Sequence, residues 1–314
     1  MTATSEGSSV MRRMPDRCLS GIASLFLAAL AVASQVLGAP PRVAVSIGPQ
    51  LAVVRAVGGP DVTVEALVQA GQAAESFDPT PRQLAMLQET DLFITVGMPF
   101  ERPLCEKLAA VAPRLKVVDG TSGLKLQPME EGGADAGDAH GGMDPHFWLD
   151  PAYMAAHAGL VAAALTELDP PGAPGYASRL RAFRQELDRL AGRVGAVLEP
   201  CRGKSVVVVH PAFGYLTRRF GLTQLALQRE GKEPAAHQLA ELETRVRTEG
   251  VAAVFVQVQF PSRAAEVLAE ELGVPVVALD DLSPEYVANL EEMARRLAGA
   301  CGRGAGRVDD RHRR

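Results

Sequence analysis

Two histidines stand where a chain built from alternating apolar runs could do metal chemistry. His210 is the first residue after the run SVVVV at 205–209, and His146 lies in Asp144-Pro145-His146-Phe147-Trp148-Leu149-Asp150-Pro151, just ahead of a helix start. Two carboxylates occupy comparable places. Glu75 falls in the loop after the second apolar run, in Glu75-Ser76-Phe77-Asp78-Pro79-Thr80-Pro81, and Asp280 with Asp281 directly follows the run at 274–279. Two imidazoles and two carboxylates delivered by four loops would make a four-coordinate site for a divalent transition metal.

Each of these residues also has a plainer reading. A histidine after a strand is more often a hydrogen-bonded structural residue than a ligand, and Asp-Pro pairs are turn and helix-start signals, which gives Asp144 and Asp150 capping roles. His157 falls inside a helical pattern and His237 at a helix start, so both read as structural or surface residues, while His312 belongs to the tail. His140 sits in an acidic, glycine-rich loop at 130–143, which is either a solvated linker or a weak collector of cations near an entrance. Cys-x-x-Cys, H-E-x-x-H and G-x-S-x-G are all absent, so a thiol-redox centre, a zinc-protease helix and a nucleophile elbow lack support.

The elements that must carry these residues follow from periodicity. Short apolar runs at 42–47, 62–68, 91–96 and 116–118 predict buried strands, and helical patterns at 49–57, 81–89, 101–112 and 151–168 separate or follow them. The second part repeats the grammar, with strands at 205–209, 223–227, 252–257 and 274–279 and helices at 212–220, 236–249, 261–272 and 284–300. Between them, Tyr176, Leu180, Phe183, Leu187, Leu190, Val194 and Val197 mark one stripe of a long helix, with Pro174 before it and Pro200 after it. The fold class is therefore α/β, two (βα)4 lobes with parallel sheets joined by one connecting helix. Ligands in such sheets bind just beyond the carboxyl ends of the strands, where His210, Glu75 and the aspartate pair fall.

Composition bounds the rest. Hydrophobic residues make up 47% and charged residues 22% of the 314, which excludes a disordered chain and a multi-span membrane protein. The net charge of −5 argues against a nucleic-acid partner. Arg12, Arg13 and Arg17 followed by an uncharged apolar run at 19–37 and small residues read as a secretory signal over residues 1–39, an uncleaved membrane anchor being the alternative. Without that segment 35 acidic and 29 basic residues remain, a net charge near −6, together with Cys105, Cys201 and Cys301. Export permits disulfides, and a Cys201–Cys301 pair would close a loop of about 100 residues. The expected organisation is then residues 40–173 as the first lobe, 174–200 as the connecting helix, 201–301 as the second lobe and 302–314 as a polar, disordered tail.

Five segments, in order, resemble those of zinc and manganese ABC-transporter solute-binding proteins, the ZnuA-like group, over about residues 43–300. The segment at 144–151 is similar to that family's DPHxWLDP. His210-Pro211-Ala212-Phe213-Gly214-Tyr215 is similar to its H-x-A-F-x-Y, Leu279-Asp280-Asp281-Leu282 to its LDPL, and the stretches at 230–234 and 255–260 to segments of its zinc-type branch. The resemblance implies a receptor that holds zinc, or alternatively manganese or iron, between two lobes and delivers it to an ABC permease outside the cytoplasm, as a monomer without catalytic activity. It carries over His146 and His210 as ligands and Asp280 as a carboxylate ligand. The family's first ligand is a histidine in G-x-x-P-H-x-[FY]-E-P-T-P; here Glu75 stands in its place, within Gly71-Gln72-Ala73-Ala74-Glu75-Ser76-Phe77-Asp78-Pro79-Thr80-Pro81. Glutamate is the harder, anionic donor, so the exchange broadens the set of metals the site would suit. A secreted metal-dependent hydrolase, and a metal-loaded adhesion or chaperone-type protein of the same fold, are the competing readings.

Overall fold

In the computed structural model, residues 39–129, 142–228 and 244–303 are described, without 245, 247, 249, 250, 252 and 261. All but the last residue of the predicted signal segment lies outside them. So do most of the acidic loop, most of the predicted helix at 236–249, and His140, His237 and His312.

Eight strands form two four-stranded parallel sheets. The first contains β1 (Arg42–Val45), β2 (Thr63–Ala66), β3 (Leu92–Thr95) and β4 (Lys116–Asp119), in the order β2-β1-β3-β4. The second contains β5 (Ser205–Val208), β6 (Thr223–Ala226), β7 (Val254–Gln257) and β8 (Val276–Leu279), in the equivalent order β6-β5-β7-β8. The inner strands β3 and β5 are buried at every position, whereas the edge strands β2, β4 and β8 keep solvent-facing positions. That is why the inner strands read as unbroken apolar runs and the edges do not. Each sheet reverses its order at one point, between β1 and β3 or between β5 and β7, which opens a crevice at the carboxyl ends of the strands.

Helices α1 (Gly48–Gly58), α2 (Pro81–Gln88), α3 (Glu101–Val111) and α4 (Pro151–Leu168) belong to the first half. Two of them start on local chemistry that the sequence announces. Thr80 accepts from the Gln83 amide at the start of α2, and Asp150 accepts from Ala152 N at the start of α4, each ahead of a proline in the first turn. The connecting helix α5 (Ala173–Leu198) has 26 residues, about 39 Å at 1.5 Å per residue. It packs against α1 and α4 on one side and α8 (Tyr286–Arg303) on the other. Its buried stripe ends on Leu198, while Val197 is 37% exposed. A strict 4,3,4,3 spacing has a period of 3.5, and a straight helix of period 3.6 drifts past it by about 60° over three heptads, more than half the step to the next residue.

The second half adds α6 (Gly214–Phe220) and α7 (Arg263–Leu272), closed by left-handed glycines at Gly221 and Gly273. One buried cluster runs from β1 and β3 through α5 to Val206, Leu279 and α8, and a smaller one lies around Val207, Val254 and Leu268. The first cluster makes the two halves share apolar packing instead of touching only through polar rims. Gly48 shows how closely they meet: a Cβ there would stand 2.1 Å from the carbonyl oxygen of Leu282. Cys201, just past α5, is bridged to Cys301 near the end of α8, with Cα atoms 5.6 Å apart. Cys105 is a free thiol. Helix α8 continues to Arg303, two residues into the stretch read as tail.

Candidate metal centre

Three of the four sequence-predicted ligands converge. One donor atom each from Glu75, His146 and His210 lies within 4.8 Å of the others. Glu75 comes from the loop between β2 and α2, held by buried Ala74 and by Phe77, whose ring meets Phe100 edge-on at 4.9 Å. His146 ends the long connection from β4 and is 1% exposed. His210 follows β5 from the other half, so the cluster forms only where the two halves meet.

The distances suit a small cation. Glu75 Oε1 is 3.8 Å from His146 Nε2 and 3.5 Å from His210 Nε2, and the two imidazole rings are 5.4 Å apart. Donors about 2.0–2.1 Å from a tetrahedral ion lie about 3.3 Å from one another, and the two Glu75–histidine separations are within about half an ångström of that spacing. His146 Nε2 and Glu75 Oε2 are buried atoms without a hydrogen-bond partner, a costly arrangement for groups with no further role. Asp144 sets the tautomer: its Oδ1 is 2.7 Å from His146 Nδ1 and also accepts from the His146 amide at 2.9 Å. With Nδ1–H donating to Asp144, Nε2 is the ring nitrogen left to face Glu75, and it is the one a metal ion would take.

The electrostatics are those of an anionic pocket. Burial works against a charged His146, but the Asp144 and Glu75 carboxylates outweigh it and lift its pKa to about 10. Burial likewise acts to raise the pKa of Glu75, yet it is lowered on balance by His146 and His210. A positively charged group is stabilised here at considerable cost in desolvation, whether it is a proton on His146 or a metal ion.

The fourth predicted ligand, Asp280, is not among the three donors gathered within 4.8 Å. Asp280 Oδ1 accepts from Gln259 Nε2 at 3.2 Å and from Leu282 N at 3.0 Å, a local turn contact. Its neighbour Asp281, which the sequence reading singled out only as part of a pair, is 2% exposed. Gln257 Nε2 holds Asp281 Oδ2 at 2.8 Å, and its Oδ1 has no hydrogen-bond partner. Burial, followed by the charge of Glu75, pushes the Asp281 pKa up to about 7. His157, for which the sequence leaves both a structural and a surface reading open, is fully buried, with Nδ1 2.8 Å from Gly120 O and Nε2 3.4 Å from Gln50 Nε2.

The chain is similar to known proteins over most of its length. A family model described as zinc-uptake complex component A, periplasmic, matches residues 43–300. The zinc-binding lipoprotein AdcA of Streptococcus pneumoniae is 26% identical over 272 residues, which cover 84% of this chain and 54% of that protein. This chain thus spans about half the length of the AdcA relatives. The high-affinity zinc uptake system protein ZnuA of Bacillus subtilis is 26% identical over 228 residues, covering 70% of this chain and 71% of the relative. A crystal structure of ZnuA is 33% identical, with a TM-score of 0.77 over 83% of this chain and 99% of that one.

Proposed function

Because this chain belongs to the family of periplasmic zinc-uptake component A proteins, we propose that it captures a divalent transition metal, zinc first, and hands it to an ABC permease outside the cytoplasm. The observation that carries this reading is the gathering of Glu75, His146 and His210 from both halves within 4.8 Å. A cargo ion held this way is shared by two lobes, 40–173 and 201–301, bridged by the helix segment 174–200. The protein acts as a monomer.

The Asp280–Asp281 pair supplies the fourth donor. Asp280 is favoured by the resemblance. Asp281 is favoured by its burial and its unpartnered Oδ1. Either gives a set of two histidines and two carboxylates, which zinc accepts and which manganese and iron tolerate better than a three-histidine site. Four protein donors leave no open position for an activated water, which supports a binding role over hydrolysis. Among the described residues no helix is long and apolar enough to cross a membrane.

Calorimetric titration with zinc and manganese tests the reading. The wild-type chain should bind one zinc ion tightly, the His146→Ala, His210→Ala double variant should lose that binding, and Glu75→His should move preference further toward zinc. Zinc binding at full strength by the double variant would refute the site.

A further inference from the structure

We propose that Arg218, which is not itself one of the candidate ligands, is a positioning residue for His146 acting through Asp144, so that the grip on the metal depends on a contact between the two halves. This inference rests on the metal-binding reading above.

Asp144 is fully buried and divides its two oxygens between the halves of the protein. Oδ1 is committed to His146, accepting from the amide and facing ring Nδ1 at 2.7 Å. Oδ2 faces Arg218 Nη2 of α6 at 3.6 Å, the separation of an ion pair. The guanidinium is set by Tyr215, over whose ring its Cζ lies at 5.5 Å. Tyr215 itself reaches across the junction: its hydroxyl donates to Asp144 O at 3.1 Å and accepts from Gln127 N at 2.8 Å. Gly214 completes the seat. A Cβ there would stand 2.9 Å from Asp144 Oδ2 and 3.1 Å from Arg218 Nη2, so a side chain would wedge the pair apart.

A carboxylate without a partner for its second oxygen can rotate about χ2, and each rotation carries Oδ1 away from Nδ1. Arg218 opposes that rotation and balances the second buried negative charge next to Glu75. His210, Gly214, Tyr215 and Arg218 all lie within one nine-residue stretch of the second half. The segment that brings one ligand therefore also orients the other, and parting the halves would release both together. Partners that hold a ligating histidine in this way are worth about 10–100-fold in metal affinity.

Zinc affinity by competition with a chelator, measured on Asp144→Asn, Arg218→Met, their double variant, Arg218→Lys and Gly214→Ala, decides the matter. Asp144→Asn should weaken zinc binding by about 10–100-fold. Arg218→Met should weaken it by a smaller factor, Arg218→Lys should recover part of the loss, and the double variant should be no weaker than Asp144→Asn alone. Proton and nitrogen-15 NMR of the His146 ring should show a far-downfield Nδ1 proton held by Asp144 in the metal-free wild type, and a weaker bond with an upfield-shifted, faster-exchanging Nδ1 proton in Arg218→Met, a change that general loss of stability would not produce. If Asp144→Asn fails to fold, Arg218→Met and Gly214→Ala carry the comparison. Wild-type affinity in a folded Arg218→Met variant, or a double variant weakened by the product of the two single effects, overturns the inference. Failure of the wild type to bind zinc overturns instead the function on which it rests.

Discussion

The indole N–H of Trp148, in the first half of the chain, donates to the main-chain carbonyl of Asp281 in the second, at 2.8 Å. Tyr286 returns the contact, its hydroxyl donating to the Trp148 carbonyl at 2.8 Å. The only tryptophan in the sequence thus stands at the junction of the halves, with its ring 5.2 Å from that of His146. A metal ion on His146 changes the charge beside that ring, so zinc should alter the intrinsic fluorescence saturably at one equivalent. An emission spectrum unmoved by stoichiometric zinc would contradict the placement. Trp148→Phe should abolish the signal and cost about 1–3 kcal/mol of stability, because it leaves a buried carbonyl without its donor.

Proton release is the second expectation. With its pKa lifted to about 10 by Asp144 and Glu75 against the opposing effect of burial, His146 carries both ring protons at neutral pH in the metal-free protein. Zinc takes Nε2 and displaces one proton, leaving the Nδ1 proton with Asp144. Calorimetry at pH 7.5 in buffers of different ionisation enthalpy should therefore report release of about one proton from this ring. Zinc affinity should fall as the pH is lowered. A binding enthalpy independent of the buffer would count against this protonation state.

The sequence made much of this legible, and the gaps have physical causes. The strands could be read because inner parallel strands are buried at every position and mostly apolar, as in LFIT of β3 and SVVV of β5. Several predicted runs overshot the ladders: 42–47 against Arg42–Val45, and 205–209 against Ser205–Val208. Apolar residues continue past the last paired residue into the turns, where Ile47 and Val209 stay buried. Glu75, His146 and His210 were accessible because each follows the carboxyl side of an element. The aspartate pair was not, because neighbouring side chains at a strand end point opposite ways and sequence alone does not fix which one turns inward. That choice depends on Gln257 and Gln259 of the neighbouring segment, which take Asp281 and Asp280 respectively. Arg218 was invisible for a similar reason: within a helix an arginine reads as a solvated charge, and it is the packing of α6 against the 144–146 segment that gives it Asp144 as a partner.

The Cys201–Cys301 bridge should contribute to stability and not to the metal. It closes a sequence separation of 100 residues, for which loop entropy sets an upper figure of about 4.7 kcal/mol. Cys201 precedes β5 whereas His210 follows it, so the bridge and the metal centre lie at opposite ends of that strand. Replacing both cysteines by serine should lower the unfolding free energy by about 2–4 kcal/mol in urea while zinc affinity stays at the wild-type value. A weakened zinc site in the folded variant would show that the bridge reaches the metal centre through α8.

His157 should give the protein an acid limb of its own. Burial pushes its pKa down from 6.5 to about 4, and the hydrogen bond to Gly120 O offsets that only in part. The unfolded chain therefore binds this proton more readily than the folded one. The stability contributed by the neutral ring is present in full above about pH 6.5 and is lost as the pH falls through 4. At about 1.4 kcal/mol per unit the total is roughly 3 kcal/mol across that window. His157→Gln keeps a donor for Gly120 O but cannot take up the proton. Its stability at neutral pH should be lower than wild type through poorer packing, while its free energy of unfolding should decline less steeply between pH 6.5 and 4. Chemical denaturation of the metal-free proteins at half-unit steps of pH measures both slopes, and parallel slopes would show that His157 does not govern the acid limb.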